Sequence, residues 1–207
     1  MDESPVTRGE PYPRCVSTPV VEPVVLPFGG YRLDIPVASD LEAVDAALAD
    51  PDVALWNPAA HRPGIAPRDR ARLWINDRAA WGDDHASWVV RDHDGRVVGA
   101  VSVHHLDHAM ATGEIGYWLS PAGRGRGLGL AAVVLATRFG FDVLELARIE
   151  LFHAVENEAS CRLALRAGYL HEGTARQSFV YGDGQRHDEH LHARLATDPE
   201  PEITLPS

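Results

Sequence analysis

The stretch that decides the fold is Gly113–Gly129, whose sequence is GEIGYWLSPAGRGRGLG and which holds six of the eighteen glycines of the chain. Its first part, Glu114–Leu119, has the pattern of a strand, and apolar residues at helical spacing over Gly127–Phe141 predict that a helix begins directly after the glycines. Glycines let a ligand approach the main chain, and the free N–H groups of a helix start attract anions. With Arg124 and Arg126 beside it, the turn is predicted to bind a di- or triphosphate-bearing ligand.

A glycine-rich turn between a strand and a helix also occurs in three different kinds of structure. A P-loop needs a lysine, and the chain has none, so a P-loop is excluded. A dinucleotide fingerprint is disfavoured because Leu130 stands where the third glycine belongs and the preceding strands do not alternate with helices. A glycine-rich connection that binds nothing stays open, although so many glycines weaken a helix start that has no compensating contact.

Composition narrows the classes of protein to which the chain can belong. Its 207 residues and 45% apolar content predict one domain with a full core. A net charge of -11 argues against binding to nucleic acid or to an anionic membrane. The two cysteines, Cys15 and Cys161, predict neither a disulfide framework nor a structural zinc site. Because no apolar run is long enough to span a membrane, we expect a cytoplasmic protein, as a monomer or a homodimer.

The distribution of proline predicts a folded body with two irregular ends. Residues 1–30 carry six of the fifteen prolines and are predicted to be a mobile or loosely packed arm, and residues 198–207 a solvated tail. Over residues 31–197, periodicity predicts an α/β (α+β) domain with a mixed, mostly antiparallel sheet of about seven strands and helices on both faces. The predicted strands are 31–37, 87–91, 97–104, 114–119, 148–155, 174–181 and 186–195, and the predicted helices are 40–49, 67–81, 127–141 and 157–167.

Several motifs in this body occur in the order and spacing of one family. Arg124, Gly127 and Gly129 match the pattern Gln/Arg-x-x-Gly-x-Gly/Ala. The other motifs are the Glu-Ile-Gly-Tyr-Trp-Leu strand from Glu114, the Asn157-x-x-Ser160 helix start, the Ala167-Gly168-Tyr169 helix end and the closing hairpin. Over about residues 31–195 the chain resembles the GNAT superfamily of acyl-CoA-dependent N-acetyltransferases, and within it the Rim-type branch, the ribosomal-protein N-terminal acetyltransferases.

The resemblance implies a GNAT fold, whose sheet is splayed at its centre, and acetyl-CoA as the cofactor. The coenzyme A pyrophosphate would lie on the amides of the glycine turn, and the pantetheine arm along the strand before it. The residues implied to bind the cofactor are Trp118, Leu119, Ser120, Arg124, Gly125, Arg126, Gly127, Leu128, Gly129 and Asn157.

The resemblance also implies transfer of acetyl to a primary amine, either a protein N-terminus or a small molecule, by direct attack in a ternary complex. Such an amine is mostly protonated at neutral pH and needs a base, for which Glu114 is the first candidate. Ser160 or Tyr169 would protonate the leaving thiolate. Plainer roles stay open: a polar strand residue for Glu114, a helix cap for Asn157, and core packing for Tyr169 and Cys161. The alternative function is a non-catalytic acyl-CoA-binding or regulatory module.

Two groups among the eleven histidines raise the question of a metal. Asp188, His190 and His192 would share one face of a strand, and His104 and His105 lie at a strand end. We expect no metal, because the chemistry of the family needs none. His104, His105 or Asp188 could instead line the acceptor pocket.

The acceptor side of the site is less determined than the coenzyme side. Trp56, Trp74 and Trp81 either wall the acceptor pocket or only pack the two early helices. Nothing in residues 54–81 or 179–188 selects between a protein N-terminus and a small amine.

Overall fold

The computed structural model describes residues 21–57 and 64–204. Over these ranges eight strands form one open sheet, and five α-helices pack against it. The strands are β1 (Leu26–Phe28), β2 (Tyr31–Asp34), β3 (His85–Arg91), β4 (Val97–Asp107), β5 (Thr112–Leu119), β6 (Arg148–Ala154), β7 (Leu170–Val180) and β8 (Arg186–Leu195). The helices are α1 (Leu41–Leu48), α2 (Pro51–Trp56), α3 (Pro67–Ala79), α4 (Leu128–Asp142) and α5 (Glu158–Arg166).

The sheet has the order β1-β2-β3-β4-β5-β6-β8-β7, and β5 and β6 pair in parallel at its centre. Parallel neighbours need a crossover, which α4 supplies. The pairing covers only Thr112–Glu114 against Arg148–Glu150, although β5 continues to Leu119 and β6 to Ala154. The two strands therefore separate after three residues, which confirms the sheet splayed at its centre.

Alternate residues of the central strands pack into two apolar cores, one on each face of the sheet. Trp88 and Val90 lie in the core covered by α4 and α5, whereas Val89 and Ala100 lie in the core covered by α1, α2 and α3. A strand that is buried on both faces has a continuous apolar run, which is the pattern of β3. Helices on both faces of a mixed sheet confirm the predicted fold class.

The N-terminal arm is shorter than predicted. Residues 26–28 lie within the predicted arm, yet they form β1, and buried Phe28 stacks on Tyr31 with ring centroids 5.8 Å apart. Val21 also packs against the core. The predicted boundary at residue 30 is therefore wrong, because apolar residues between the prolines supply an edge strand. The rest of the predicted arm, residues 1–20, lies outside the described residues.

The C-terminal segment is also attached to the body, at least as far as residue 204. Asp198 accepts a hydrogen bond from the backbone N–H of Leu195 at 2.8 Å. Glu200 lies 3.3 Å from the guanidinium of Arg194, a side chain that is only 1% exposed, and Ile203 packs against the core. The acidic residues of the predicted solvated tail thus hold this segment in place. Residues 205–207 lie outside the described residues.

The Pro51-Asp52 pair ends α1 as predicted, but it also begins α2. Asp50 caps the new helix, since its carboxylate accepts the backbone N–H of Val53 at 3.2 Å. Proline is favoured in the first turn of a helix, where its missing N–H costs nothing. This short helix becomes one wall of the functional site.

A buried ion-pair network joins the first part of the sheet to α1. Both terminal nitrogens of Arg91 bond the carboxylate of Asp40, at 2.7 and 2.8 Å. Its Nε bonds Asp34 at 2.8 Å. Burial alone would raise the pKa of Asp34, but the hydrogen bonds from Arg32 and Arg91 bring that pKa below its usual range.

Candidate active site

The separation of β5 and β6 opens a cleft of about 1640 Å³. Its walls are β5 from Glu114 to Leu119, β6 from Leu151 to Ala154, residues of α2 and α3, and the beginning of α5. One edge of β5 beyond Glu114 no longer pairs with β6, so its main chain faces the cleft. The cleft therefore combines an open strand edge with helix ends from both layers of the fold.

The glycine turn lies at one end of this cleft. Gly125 and Gly127 have φ values of 73° and 75°, in the left-handed region, and Gly127 is the N-cap of α4. A side chain at Gly125 would meet no atom of the described chain within 4 Å, so the main chain is open to a ligand there. The first N–H groups of α4 have no acceptor within their own helix. This geometry suits an anion that lies on the turn.

Arg124 links the glycine turn to α2. Its guanidinium forms ion pairs with Asp50 and, at 2.8 Å, with Asp52, and its Nε donates to the carbonyl of Leu119 at 3.2 Å. Burial alone would raise the pKa of Asp50, but the hydrogen bond from Arg124 lowers it. The guanidinium is thus positioned at the turn and balanced by two carboxylates, whereas Arg126 is exposed.

A chain of hydrogen bonds connects β5 to the start of α5. Asn157 is the N-cap of α5, and its side chain accepts the backbone N–H of Ser160 at 3.1 Å. The hydroxyl of Tyr117 donates to the hydroxyl of Ser160 at 3.2 Å. Burial raises the pKa of Tyr117 to about 12, so this phenol carries its proton at neutral pH. All three side chains line the cleft, which makes Tyr117 and Ser160 a potential proton source.

Tyr117 is a site residue that the sequence analysis missed. Alternation along β5 places Tyr117 on the face of α5 and Glu114 on the opposite face. That alternation, combined with the Asn157-x-x-Ser160 helix start, is the signal that could have identified it.

The structure does not support Tyr169 as a proton donor. Its side chain is fully buried in the core, and its hydroxyl lies 2.6 Å from that of Thr137. Burial raises the pKa of Tyr169. A hydroxyl held in this way has no route to a thiolate in the cleft, so Tyr169 has the packing role.

Glu114 lies on the other wall of the cleft together with two histidines. Its carboxylate is 3.1 Å from Nδ1 of His105. β4 is irregular after His104, where His105 has a φ of 50°, and such a bulge brings two consecutive side chains to the same region. Burial lowers the pKa of His104 to about 4, with smaller contributions from His105, Arg78 and His85. Within the described chain, Nδ1 of His104 has no hydrogen-bond partner.

These two histidines fit the predicted acceptor pocket, whereas Asp188 does not. Asp188 accepts the backbone N–H of Gln177 at 2.8 Å, within the closing hairpin. His104, His105 and Glu114 also bring three metal-ligating atoms within 4.8 Å of one another. The ion pair between His105 and Glu114 already accounts for that proximity.

Aromatic side chains form the acceptor end of the cleft. Trp56 of α2 lies edge-on to Tyr181, with ring centroids 5.6 Å apart, and the Tyr181 hydroxyl donates to Glu189 at 2.8 Å. Trp74 also lines the cleft. Trp81 instead packs against Trp88 in the core, with centroids 4.7 Å apart. Two of the three predicted tryptophans therefore wall the cleft, and one does not.

The cleft is strongly acidic. Among its described lining residues, seven carboxylates stand against two arginines. The carboxylates are Asp52, Asp77, Asp84, Glu114, Glu156, Glu158 and Glu189, and the arginines are Arg78 and Arg124. A cleft lined by one sign of charge raises the local concentration of ligands of the opposite sign.

Most of the residues predicted to form the site come together here. Those that line the cleft are Glu114, Trp118, Leu119, Arg124, Gly125, Asn157 and Ser160. Ser120, Arg126, Gly127, Leu128 and Gly129 are placed at or beyond its end; the hydroxyl of Ser120 bonds the carbonyl of Val98 at 3.2 Å, and Leu128 is fully buried. The backbone of the glycine turn, rather than its side chains, is what reaches the cleft.

Comparison with known proteins agrees with this architecture. The family described as "Acetyltransferase (GNAT) domain" matches residues 32–170. The chain is 36% identical over 133 residues to the Bacillus subtilis protein named "Putative ribosomal N-acetyltransferase YdaF", an alignment that covers 64% of this chain and 72% of that protein. It is 29% identical over 116 residues to the spermidine N(1)-acetyltransferase of Escherichia coli K12, covering 54% of this chain and 62% of that protein.

A solved structure extends the likeness to the fold. The Mycobacterium smegmatis RimJ protein, in complex with CoA-disulfide, superposes with a TM-score of 0.67 at 23% identity, covering 80% of this chain and 82% of that one. Within the described residues, no helix is both long and apolar enough to cross a membrane. The glycine turn at the start of α4, the divided sheet and the match over residues 32–170 together establish that the chain belongs to the GNAT family of N-acetyltransferases.

Proposed function

We propose that the chain transfers acetyl from acetyl-CoA to a cationic primary amine by direct attack in a ternary complex. The observation that carries this proposal is the acidic cleft that runs from the glycine turn along the open edge of β5. One end of the cleft has the geometry of an anion site, and its walls attract cations. An anionic cofactor and a cationic acceptor can therefore lie in one cavity.

On the coenzyme side, the turn from Arg124 to Gly129 would hold the pyrophosphate through backbone N–H groups. The pantetheine arm would lie along Trp118–Ser120, where the main chain of β5 faces the cleft. Arg124 would exchange part of its pairing with Asp50 and Asp52 for the phosphate. Asn157 keeps the start of α5 in place through its cap.

On the acceptor side, Glu114 would take a proton from the ammonium group, directly or through water. The free amine then attacks the thioester carbonyl, the carbon–sulfur bond breaks, and the acetyl group remains on nitrogen. Ser160, which accepts a hydrogen bond from Tyr117, can donate its own proton to the leaving thiolate. The products are the acetylated amine and coenzyme A.

The relatives suggest two kinds of acceptor. YdaF is named for ribosomal N-acetylation, and the Escherichia coli relative for spermidine. Both kinds present an amine, so we propose a protein N-terminus or a small polyamine for this chain. We also propose a cytoplasmic location, since Cys161 is a free thiol, as expected in a reducing compartment.

The decisive experiment measures acetyl-CoA binding by calorimetry and then follows release of free thiol with spermidine and with a basic peptide that has a free N-terminus. Binding with release identifies an enzyme, and the better acceptor identifies the class. Binding without release for either acceptor would favour the non-catalytic module. Absence of binding at tens of micromolar would overturn both.

The role of Glu114 is tested with Glu114→Gln, beside Glu42→Gln as a control on the exposed surface of α1. We expect Glu114→Gln to lower kcat by roughly a hundredfold, the scale of general base catalysis, with little change in acetyl-CoA affinity. Glu42→Gln should match the parent. Equal kcat values for the two variants would remove Glu114 from this role.

A further inference from the structure

A second cluster of reactive side chains lies beneath α5. It consists of His153 on β6, His190 and His192 on β8, and Cys161 on α5. β6 and β8 pair so that His153 lies directly opposite His190. Each of the four residues presents one ligand atom, and these atoms all lie within 4.8 Å of one another. His153 touches the edge of the cleft, and the other three lie outside its lining.

Two nitrogens of this cluster are buried without a hydrogen bond. Nε2 of His153 and Nδ1 of His190 have no partner among the described residues, and the His153 side chain belongs to a residue only 4% exposed. A buried polar atom without a partner costs free energy, so it is rare and calls for an explanation. Both atoms belong to the group whose ligand atoms converge, which points to an occupant.

The other nitrogens are already held in the way that metal ligands are held. Nδ1 of His153 donates to the carbonyl of Ala154 at 2.8 Å, so Nε2 keeps its lone pair. Nδ1 of His192 faces the carbonyl of Tyr169 at 3.4 Å, which leaves Nε2 directed towards Sγ of Cys161, 4.0 Å away. Histidines that bind metals generally donate their second N–H to a carbonyl or a carboxylate.

We propose that His153, Cys161, His190 and His192 bind a single zinc ion in tetrahedral geometry. Bond lengths of about 2.0–2.3 Å would bring neighbouring ligand atoms to roughly 3.4–3.8 Å, which small side-chain movements can reach. Three imidazoles and a thiolate select a borderline-soft ion such as Zn²⁺ over Mg²⁺ or Ca²⁺. On binding, the Cys161 thiol releases its proton to solvent.

The charge state of the cluster suits a cation. Burial lowers the pKa of His192 to about 4 and also lowers that of His153, so both rings are neutral at neutral pH. His171 flanks the cluster, with its ring centroid 4.6 Å from that of His190, but it is exposed and stands outside the ligand set.

All four positions would be filled by protein groups, which is the arrangement of a structural rather than a catalytic zinc site. The ion would join α5 to β6 and β8, three elements brought together from separate parts of the sequence. Because α5 begins with Asn157 and carries Ser160, the ion would fix the wall of the cleft from which the thiolate is protonated.

The first test uses the full chain after removal of metal by a chelator. We expect Co²⁺ to bind at one equivalent and to give the intense visible bands of tetrahedral cobalt together with a thiolate-to-cobalt charge-transfer band. Zn²⁺ should then displace it at the same stoichiometry and raise the melting temperature. Lack of binding at tens of micromolar, or binding without the charge-transfer band, would overturn the proposal.

The second test uses variants whose folding is checked by circular dichroism and by acetyl-CoA binding. Cys161→Ser should abolish the charge-transfer band, and Cys15→Ser, at the only other cysteine of the sequence, should keep it. His190→Asn should weaken Zn²⁺ binding by roughly tenfold or more, whereas exposed His108→Asn should not. A band that survives Cys161→Ser, or cobalt binding that is lost in His105→Asn instead, would place the ion elsewhere and overturn the proposal.

Discussion

Tyr117 donates a hydrogen bond to Ser160 across 3.2 Å, and this contact joins β5 to α5 at the place where the sheet divides. Because Ser160 accepts this bond, its own proton is left to point into the cleft. The pair can therefore deliver a proton to a thiolate while Tyr117 stabilises the resulting charge on Ser160. Neither residue achieves this alone.

Tyr117→Phe should lower kcat by roughly a hundredfold, as expected for loss of a general acid, and leave the KM for acetyl-CoA nearly unchanged. The measurement is thiol release under saturating acetyl-CoA. Tyr181→Phe is a matched control at the acceptor end, where it should change the KM for the amine instead. An unchanged kcat in Tyr117→Phe would show that Ser160 acts without the phenol.

The pH dependence of the parent enzyme should be consistent with this arrangement. Since burial raises the pKa of Tyr117 to about 12, the phenol keeps its proton across the ordinary working range. Loss of this proton should therefore not reduce kcat below about pH 10. A fall of kcat on the alkaline side at lower pH that disappears in Tyr117→Phe would contradict this assignment.

Arg124→Ala should weaken the binding of acetyl-CoA by roughly tenfold, the scale of one charge-assisted contact to phosphate. It should also release Asp50 and Asp52, whose carboxylates then repel the anionic cofactor. Calorimetry at two salt concentrations measures both effects. The control is Arg96→Ala, an exposed residue in the turn between β3 and β4 that pairs with Asp94. Equal affinities for the two variants would place the phosphate away from Arg124.

His104 should make the protein less stable in acid. Burial lowers its pKa to about 4, whereas an unfolded histidine titrates near 6.5, so between these values the unfolded chain binds a proton that the folded chain does not. Its contribution is complete above about pH 6.5 and is lost as the pH falls towards 4, up to about 3 kcal/mol. Urea unfolding at pH 7.5 and pH 4.5 should show a smaller loss for His104→Gln than for the parent. An equal loss would contradict the lowered pKa.

Arg91→Ala should destabilise the fold by about 3–5 kcal/mol, because it leaves the carboxylates of Asp40 and Asp34 buried without their cation. Arg32→Ala is the control, since Arg32 also bonds Asp34 but its side chain is 40% exposed. The expected cost there is below about 1 kcal/mol. Chemical unfolding measures both, and similar losses would show that Arg91 is not the residue that compensates these charges.

Local patterns in the sequence predict most of the body of the fold. The helix after the glycine turn, the strand at Glu114 and the closing hairpin each carry their own periodicity and turn residues, so they are found without tertiary information. The division of the sheet after Glu114 was available only through the family resemblance, because no local pattern shows where two strands stop pairing.

What the sequence missed depends on contacts between distant segments. Phe28 lies among prolines, and only its packing against Tyr31 reveals a strand there. Tyr169 looks like a site residue by its position after Gly168, and only its contact with Thr137 shows that it belongs to the core. The convergence of Cys161 with His153 likewise needs the pairing of β6 and β8, which brings together residues with no common spacing.

The division of the sheet gives β5 two independent roles according to the parity of its residues. Even-numbered Glu114 and Trp118 face the helices of the acceptor wall, and odd-numbered Tyr117 and Leu119 face the helices of the coenzyme wall. Substitutions at even positions can thus alter which amine is accepted without touching the apparatus that serves the thioester. One strand thereby separates the evolution of acceptor choice from the preservation of acetyl transfer.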